Sequence, residues 1–151
     1  MDRHEERLKR ARLSLEGLSM ADALGGFFEF SRAGRLSHFV KNRQLPDVVW
    51  HWTDDTNMAL SIYSILRQYG QINQDQLAEN FAAHFVPQRG YGRGARHILS
   101  QIRLGKNWRE VVTKVFEGGS FGNGGAMRVE PLGAYFAGGL DGVIEDCPFI
   151  Q

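Results

Sequence analysis

His51-Trp52-Thr53-Asp54-Asp55-Thr56-Asn57-Met58-Ala59-Leu60 sets two adjacent carboxylates between two hydroxyls and then runs into an apolar-periodic segment. Met58, Ile62, Ile65, Leu66 and Tyr69 recur at helical spacing, and Gly70 follows as a stop. The pattern predicts a helix over 55–69 with the carboxylates at or near its first turn, where capping and the helix dipole favour Asp. Two adjacent Asp between two Thr is more than a cap needs. Neighbouring helical residues point about 100° apart, so these carboxylates diverge and do not flank one scissile bond as a glycosidase acid/base pair does. They can reach two hard cations, or two sides of one. Oxygen-only donors of this kind suit Mg²⁺ or Mn²⁺, not a zinc held by His and Cys. On the residues alone, capping and metal binding both remain open.

The 151 residues that surround this stretch fit a single domain, 1–151. Hydrophobic residues make up 42%, with ten Phe and three Trp, enough for a core. Eighteen basic against seventeen acidic residues leave a net charge of +1, which gives no electrostatic footprint for nucleic acid or anionic lipid. The single Cys147 excludes an intramolecular disulfide and a Cys-based zinc site. No apolar run reaches membrane-spanning length and the first residues are charged, so a soluble cytoplasmic protein is expected.

Toward the N-terminus, residues 3–20 open with a charged run and continue with Leu8, Ala11, Leu15, Leu18 and Met20 as an apolar stripe. The charges read as a solvated face with local ion pairs. From Gly17 to Gly26 the side chains shrink, which lets a neighbouring helix or a ligand approach the backbone. Asp22 lies within this stretch and reads as a structural carboxylate, hydrogen-bonded if buried. Glu29 sits among Phe27, Phe28 and Phe30. An apolar pocket there would raise its pKa toward a general-acid role, and a solvent-facing Glu beside buried rings fits equally. Residues 31–50 show no lasting helical period and read as irregular, broken by Gly34 and Pro46.

Toward the C-terminus, Asn73 and Gln76 have the spacing of a capping box, and Leu77, Phe81 and Phe85 mark a helix ended by Pro87. Gly90, Tyr91 and Gly92 belong to a glycine-rich loop whose amides suit a ligand, although a flexible turn explains it as well. Two short helices follow, one around Ala95, Ile98, Leu99 and Ile102, the other around Trp108, Val111, Val112 and Val115. Gly118-Gly119-Ser120-Phe121-Gly122-Asn123-Gly124-Gly125-Ala126-Met127-Arg128 then crowds five glycines before an expected helix. Free amides at such a helix start suit a phosphate or pyrophosphate, with Phe121 available to stack on a base and Ser120 or Asn123 to bond a ribose. It is neither a P-loop nor a dinucleotide fingerprint.

Four motifs in order carry a family resemblance: Ser19-Met20-Ala21-Asp22-Ala23-Leu24-Gly25-Gly26, Trp52 to Leu60, Arg89 to Gly94, and Gly119 to Val129 with Pro131-Leu132-Gly133. In order and spacing they resemble the ADP-ribosylglycohydrolase family, from about Leu13 to about Phe136. The resemblance implies an all-α fold, a compact multi-helix orthogonal bundle around a binuclear Mg²⁺ or Mn²⁺ site. It also implies hydrolysis of the bond joining ADP-ribose to a modified protein side chain or a small acceptor. On it, Thr53, Asp54 and Asp55 match the first group of metal ligands, and Glu29, Asp54 and Asp55 the catalytic acids. Gly90, Tyr91, Gly92, Ser120, Phe121, Gly122 and Asn123 match the loops that hold ADP-ribose. A non-catalytic ADP-ribose-binding module is the alternative.

Two departures stand out. The family usually has Gly where this chain has Ala21, whose methyl is expected to tighten helix packing. The family completes its metal site with a later Asp-x-Asp-Thr segment, and no such segment occurs here; Glu145 and Asp146 do not substitute for it by pattern. The chain therefore resembles the N-terminal part of a longer enzyme, with exposed apolar surface that invites self-association.

Overall fold

The computed structural model describes residues 3–31, 33–115, 119–120 and 122–137. Helix α3 (Asp54–Tyr69) is the element the others pack around. Thr53 enters it in an extended conformation, φ −106° and ψ −161°, and its hydroxyl accepts the Asp55 N–H at 3.4 Å. Gly70, at φ +71°, ends it in the left-handed region and donates its N–H to the Leu66 carbonyl at 2.8 Å. The expected start and stop are both present. Met58, Ala59, Ile62, Ile65 and Leu66 are buried, and so are Thr56, Asn57 and Ser61. A helix covered on this much of its surface sits in the middle of its domain. Each fully buried Ile or Leu contributes about 1.5–3 kcal/mol.

Helix α1 (Arg3–Glu29) lies against α3 and α7 (Glu130–Phe136). It buries Leu8, Ala11, Leu15, Ala23 and Gly26 and runs unbroken through the small-residue stretch. Gly26 marks the closest approach: a Cβ there would lie 3.0 Å from Thr53 Cγ2. Ala21 is exposed, so its methyl tightens no packing, contrary to expectation. Beyond the opening charged run, Arg12 and Glu16 form a local pair at 2.8 Å. Other N-terminal charges reach α7 instead. His4 Nδ1 and the Tyr135 hydroxyl are 2.6 Å apart, Arg10 Nε donates to the Ala134 carbonyl at 3.2 Å, and the Arg7 guanidinium lies 5.4 Å from the Phe136 ring centre. These contacts tie the two ends of the described chain together around α3.

Residues 33–42 correct the sequence reading, because they form α2 (Ala33–Asn42) where an irregular segment was expected. Leu36, Phe39 and Val40 supply a short i, i+3, i+4 stripe, and Phe39 meets Phe27 of α1 edge-on at 5.7 Å. Ten residues hold too few repeats for the period to stand out. Helix α4 (Gln74–Ala83) packs against α3, α5 (Arg93–Arg103) against α4, and α6 (Trp108–Val115) against α5. Asn73 caps α4 by accepting the Gln76 N–H at 3.1 Å, as its spacing predicts. Trp108 Nε1 donates to Asp75 at 2.7 Å and the Arg109 guanidinium pairs with the same carboxylate, joining α6 to α4.

The glycine-rich segment brings a second correction. Ala126–Arg128 is a single 3₁₀ turn and not the start of an α-helix; the next helix, α7, begins only at Glu130. Pro131 and the acidic Glu130 stand in its first turn, so no α-helix offers its amides to an anion immediately after Gly124. The described residues contain no strand, which makes the fold all-α, a bundle of the expected type. Among them no helix is long and apolar enough to cross a membrane.

Candidate functional site

Asp22 builds the site from α1. Its Oδ2 accepts the Thr53 N–H at 2.8 Å, the Thr56 N–H at 3.2 Å and the Thr56 hydroxyl at 2.6 Å, while its Oδ1 accepts the Thr53 hydroxyl at 2.6 Å. A carboxylate from another helix thus satisfies amides at the start of α3, where its charge also opposes the positive end of the dipole. The structural role read for Asp22 holds, and its content is now specific. Thr53, expected among metal ligands, is buried and uses its hydroxyl in this network.

Asp54 and Asp55 follow directly. Because Thr53 and Asp22 do the capping, neither Asp serves as the cap residue, although both stand in the first turn, where the helix dipole favours a carboxylate. Both are half-buried, and among the described residues neither takes part in an ion pair. Burial raises the Asp55 carboxyl to about 6, with the negative fields of Asp22, Asp54, Glu29 and Glu130 adding to it. Burial also raises Asp54, helped by Asp22 and Glu29 and opposed by its own backbone amide and Arg96. Glu29 ends α1 and is exposed, so the apolar pocket considered for it is absent, yet its field reaches both aspartates.

Gly90 brings the first glycine loop onto this acidic end. At φ +94° it occupies backbone space that suits glycine, and a Cβ there would meet Asp54 Oδ1 at 3.3 Å and Phe30 Cζ at 3.4 Å. Beside it opens a cleft of about 540 Å³, lined by Phe30, Trp52, Arg89, Gly90 and Arg96 among others. Arg89 stacks 3.5 Å from the Trp52 ring centre and donates to the Trp52 carbonyl at 2.8 Å; Arg96 Nε donates to the Tyr91 carbonyl at 2.7 Å. Tyr91 itself points into the core. Its hydroxyl lies 2.5 Å from Asn57 Nδ2, its ring meets Phe85 at 4.9 Å, and only its main chain is left to face a ligand. Gly92 precedes α5 without a side-chain cap.

The second glycine segment faces another cleft, of about 680 Å³, to which α5 contributes Ala95 and Ile98. Ser120, Gly122 and Asn123 are exposed, and Ser120 Oγ accepts the Gly122 N–H at 3.2 Å. Phe121 lies outside the described residues, as do Glu145, Asp146 and Cys147. Sequence reasoning passed over Arg96 and Glu130, whose fields reach Asp54 and Asp55 respectively. No local pattern marks either one, since both act across the fold. Among the described residues no three His, Cys, Asp or Glu gather closely enough to hold a metal ion.

The profile of the ADP-ribosylglycohydrolase family matches residues 3–147. ADP-ribosylhydrolase ARH3 of Xenopus tropicalis is 35% identical over 136 residues, covering 81% of this chain and 38% of the relative. The human ARH3 is 32% identical over 139 residues with the same coverage, and a putative ADP-ribosyl glycohydrolase L543 of Acanthamoeba polyphaga mimivirus is 26% identical over 132 residues, 80% of this chain and 39% of the relative. The chain thus spans well under half the length of these curated relatives. No solved structure matches it. A family profile over nearly the whole chain, on an all-α fold, makes this chain a member of the ADP-ribosylglycohydrolase family.

Proposed function

We propose that this chain carries the nucleotide-sugar-binding and first metal-ligand portion of a divalent-metal-dependent hydrolase, which cleaves the glycosidic bond between ADP-ribose and a protein side chain or a small acceptor. One observation carries the reading. Two adjacent carboxylates, freed from capping by Asp22, lie half-buried without an ion-pair partner among the described residues, and a glycine of the adjoining loop packs against one of them. Mutual repulsion and burial that raise both carboxyls are what a bound cation would relieve.

The donor chemistry fits Mg²⁺ or Mn²⁺: hard oxygens and a net negative field. The donor count is short, since the described residues bring no third ligand to the pair. When bound, such a cation supplies Lewis acidity and holds sugar hydroxyls in place. Asp54 and Asp55 would hold it, and their charge also meets the positive charge that develops at the anomeric carbon. Glu29, exposed and close to both, handles the proton of the attacking water or the leaving group. Gly90, Gly92 and the segment from Ser120 to Asn123 hold the rest of ADP-ribose.

The test is release of ADP-ribose from a mono-ADP-ribosylated protein. Release that requires Mg²⁺ or Mn²⁺ and is lost in Asp55→Asn supports the reading; release unaffected by chelation overturns it. The short donor count favours a second reading, ADP-ribose binding without turnover, which calorimetric binding with no product release would select.

A further inference from the structure

The net charge of +1 hides a polarised distribution. Between Arg89 and Lys114 the sequence holds seven Lys and Arg against one acidic residue, Glu110, while the rest of the chain holds eleven against sixteen. Four of the seven are engaged where they stand. Arg89 lies on the Trp52 ring, Arg96 donates to the Tyr91 carbonyl, Arg103 donates to the Ala83 carbonyl at 3.3 Å, and Arg109 pairs with Asp75. The other three, Arg93, Lys106 and Lys114, are exposed and enter no ion pair among the described residues. Arg93 also stands in the first turn of α5, which carries no acidic residue, so the helix dipole opposes it. A face that serves solubility alone mixes both signs, whereas one sign gathered together costs self-repulsion.

These three cations line one groove between α5 and α6. Two hollows, of about 340 and 230 Å³, share His97 and Lys114 and so run into each other. Arg93 and Val115 line the first, Lys106 and Val111 the second. Val111 is buried and Val115 half-buried, which gives apolar contact between the cationic ends. Glu110 is the one carboxylate along the groove, and it pairs with neither Lys. Helix α5, of eleven residues, is about 16 Å long, with Arg93 at its start and Lys106 just past its end. A groove lined by one sign of charge focuses its field on what enters it. No aromatic ring lines this one, so it offers no platform for stacked bases. The function proposed above uses none of these side chains.

We propose that the α5–α6 groove is a docking surface for an extended acidic segment of a partner protein. One carboxylate of that segment meets Arg93 and Lys114, and a second meets Lys106 at the far end. An extended chain rises about 3.3 Å per residue, so carboxylates about five residues apart span the groove. An apolar side chain between them faces Val111 and Val115. Glu110, between the two Lys in sequence, repels a third carboxylate placed midway, which selects spaced acids over a continuous acidic run.

The probe is a fluorescein-labelled peptide with two Glu five residues apart around a Val. It is titrated with the intact chain in EDTA, without ADP-ribose, and read as fluorescence anisotropy. Wild type is expected to bind it about tenfold more tightly than the same peptide with Gln for both Glu, an advantage that shrinks as salt is added. A peptide with its two Glu adjacent is expected to bind more weakly than the spaced one, because it cannot reach both ends. Lys106→Glu with Lys114→Glu, both at exposed positions, is expected to keep the helical spectrum and to prefer a peptide with Lys for both Glu. Equal binding of the Glu and Gln peptides, equal binding of the spaced and adjacent peptides, or a double variant that still prefers the acidic peptide overturns the proposal. Tighter binding of an oligothymidylate of the same charge also overturns it and assigns the groove to a phosphate backbone. Neither metal nor turnover enters the assay, so a failure of the hydrolase reading leaves these results standing.

Discussion

Replacing Asp22 separates the hydrogen bonding of the α3 start from its charge. Four donors converge on this carboxylate: two hydroxyls at 2.6 Å and two backbone amides at 2.8 and 3.2 Å. In Asp22→Ala the hydroxyls can turn elsewhere, but the amides of Thr53 and Thr56 lose their acceptor. Each amide so stranded costs about 1–3 kcal/mol, and part of the charge-assisted gain of the hydroxyl bonds goes too, for a total of about 3–5 kcal/mol. Asp22→Asn behaves differently. With its carbonyl oxygen in the Oδ2 position it keeps the Thr53 N–H, Thr56 N–H and Thr56 hydroxyl bonds, and its amide group faces a Thr53 hydroxyl that can rotate to accept. It loses charge assistance and dipole stabilisation, about 1 kcal/mol, and it removes a negative field from Asp55. The assays are urea unfolding at neutral pH and carboxyl-carbon NMR titration. The expected outcome is a gap of at least about 2 kcal/mol between the two variants, with the Asp55 pKa lower in Asp22→Asn than in wild type. Equal losses in both variants, or an Asp55 titration that does not move, would refute the capping account.

Three further outcomes follow from the same geometry. The Asp55 carboxyl is raised on folding to about 6, so the native state binds more protons than the unfolded one between about pH 4 and 6. Its contribution is most favourable below pH 4 and is lost as pH rises through 6; the shift alone would be about 3 kcal/mol, which screening at a half-exposed site reduces to about 1 kcal/mol. Urea unfolding of wild type and Asp55→Asn at pH 4 and pH 7 should therefore show the variant gaining relative stability at pH 7 without divalent metal. Gly90→Ala puts a Cβ into positive-φ backbone 3.3 Å from Asp54 Oδ1, and a loss of about 1–2 kcal/mol with weaker Mn²⁺ binding by electron paramagnetic resonance is expected. Leu13 and Met20 on α1 are 72% and 70% exposed, and if they carry self-association, Leu13→Glu with Met20→Glu should shift sedimentation velocity toward monomer while leaving the helical spectrum unchanged.

How far the sequence could be read differs from element to element. The Gly70 stop and the Asn73 cap are interactions within four residues, and the spacing of the residues contains them, whereas the cap of α3 is Thr53 and not the Asp to which the sequence reading gave that role. The all-α class follows from the same short-range signals repeated along the chain, and the order of four motifs pointed to the family. The spacing was insufficient at α2, where the stripe is only three residues, and at Ala126–Arg128, where glycines before an apolar run suggested a helix that is only a 3₁₀ turn.

The sequence by itself determined where α3 and α4 begin, that two carboxylates stand together at the first of those beginnings, and which motifs accompany them. The tertiary structure alone decided what each polar side chain meets. Asp22 reaches Thr53 and Thr56 across 31 and 34 residues, His4 reaches Tyr135 across 131, Tyr91 turns its ring into the core, and Arg128 lies on Met58 and Phe81. The reason is range. A helix start is set by hydrogen bonds within one turn of chain, whereas desolvation and electrostatic fields depend on which segments the folded chain brings back beside them.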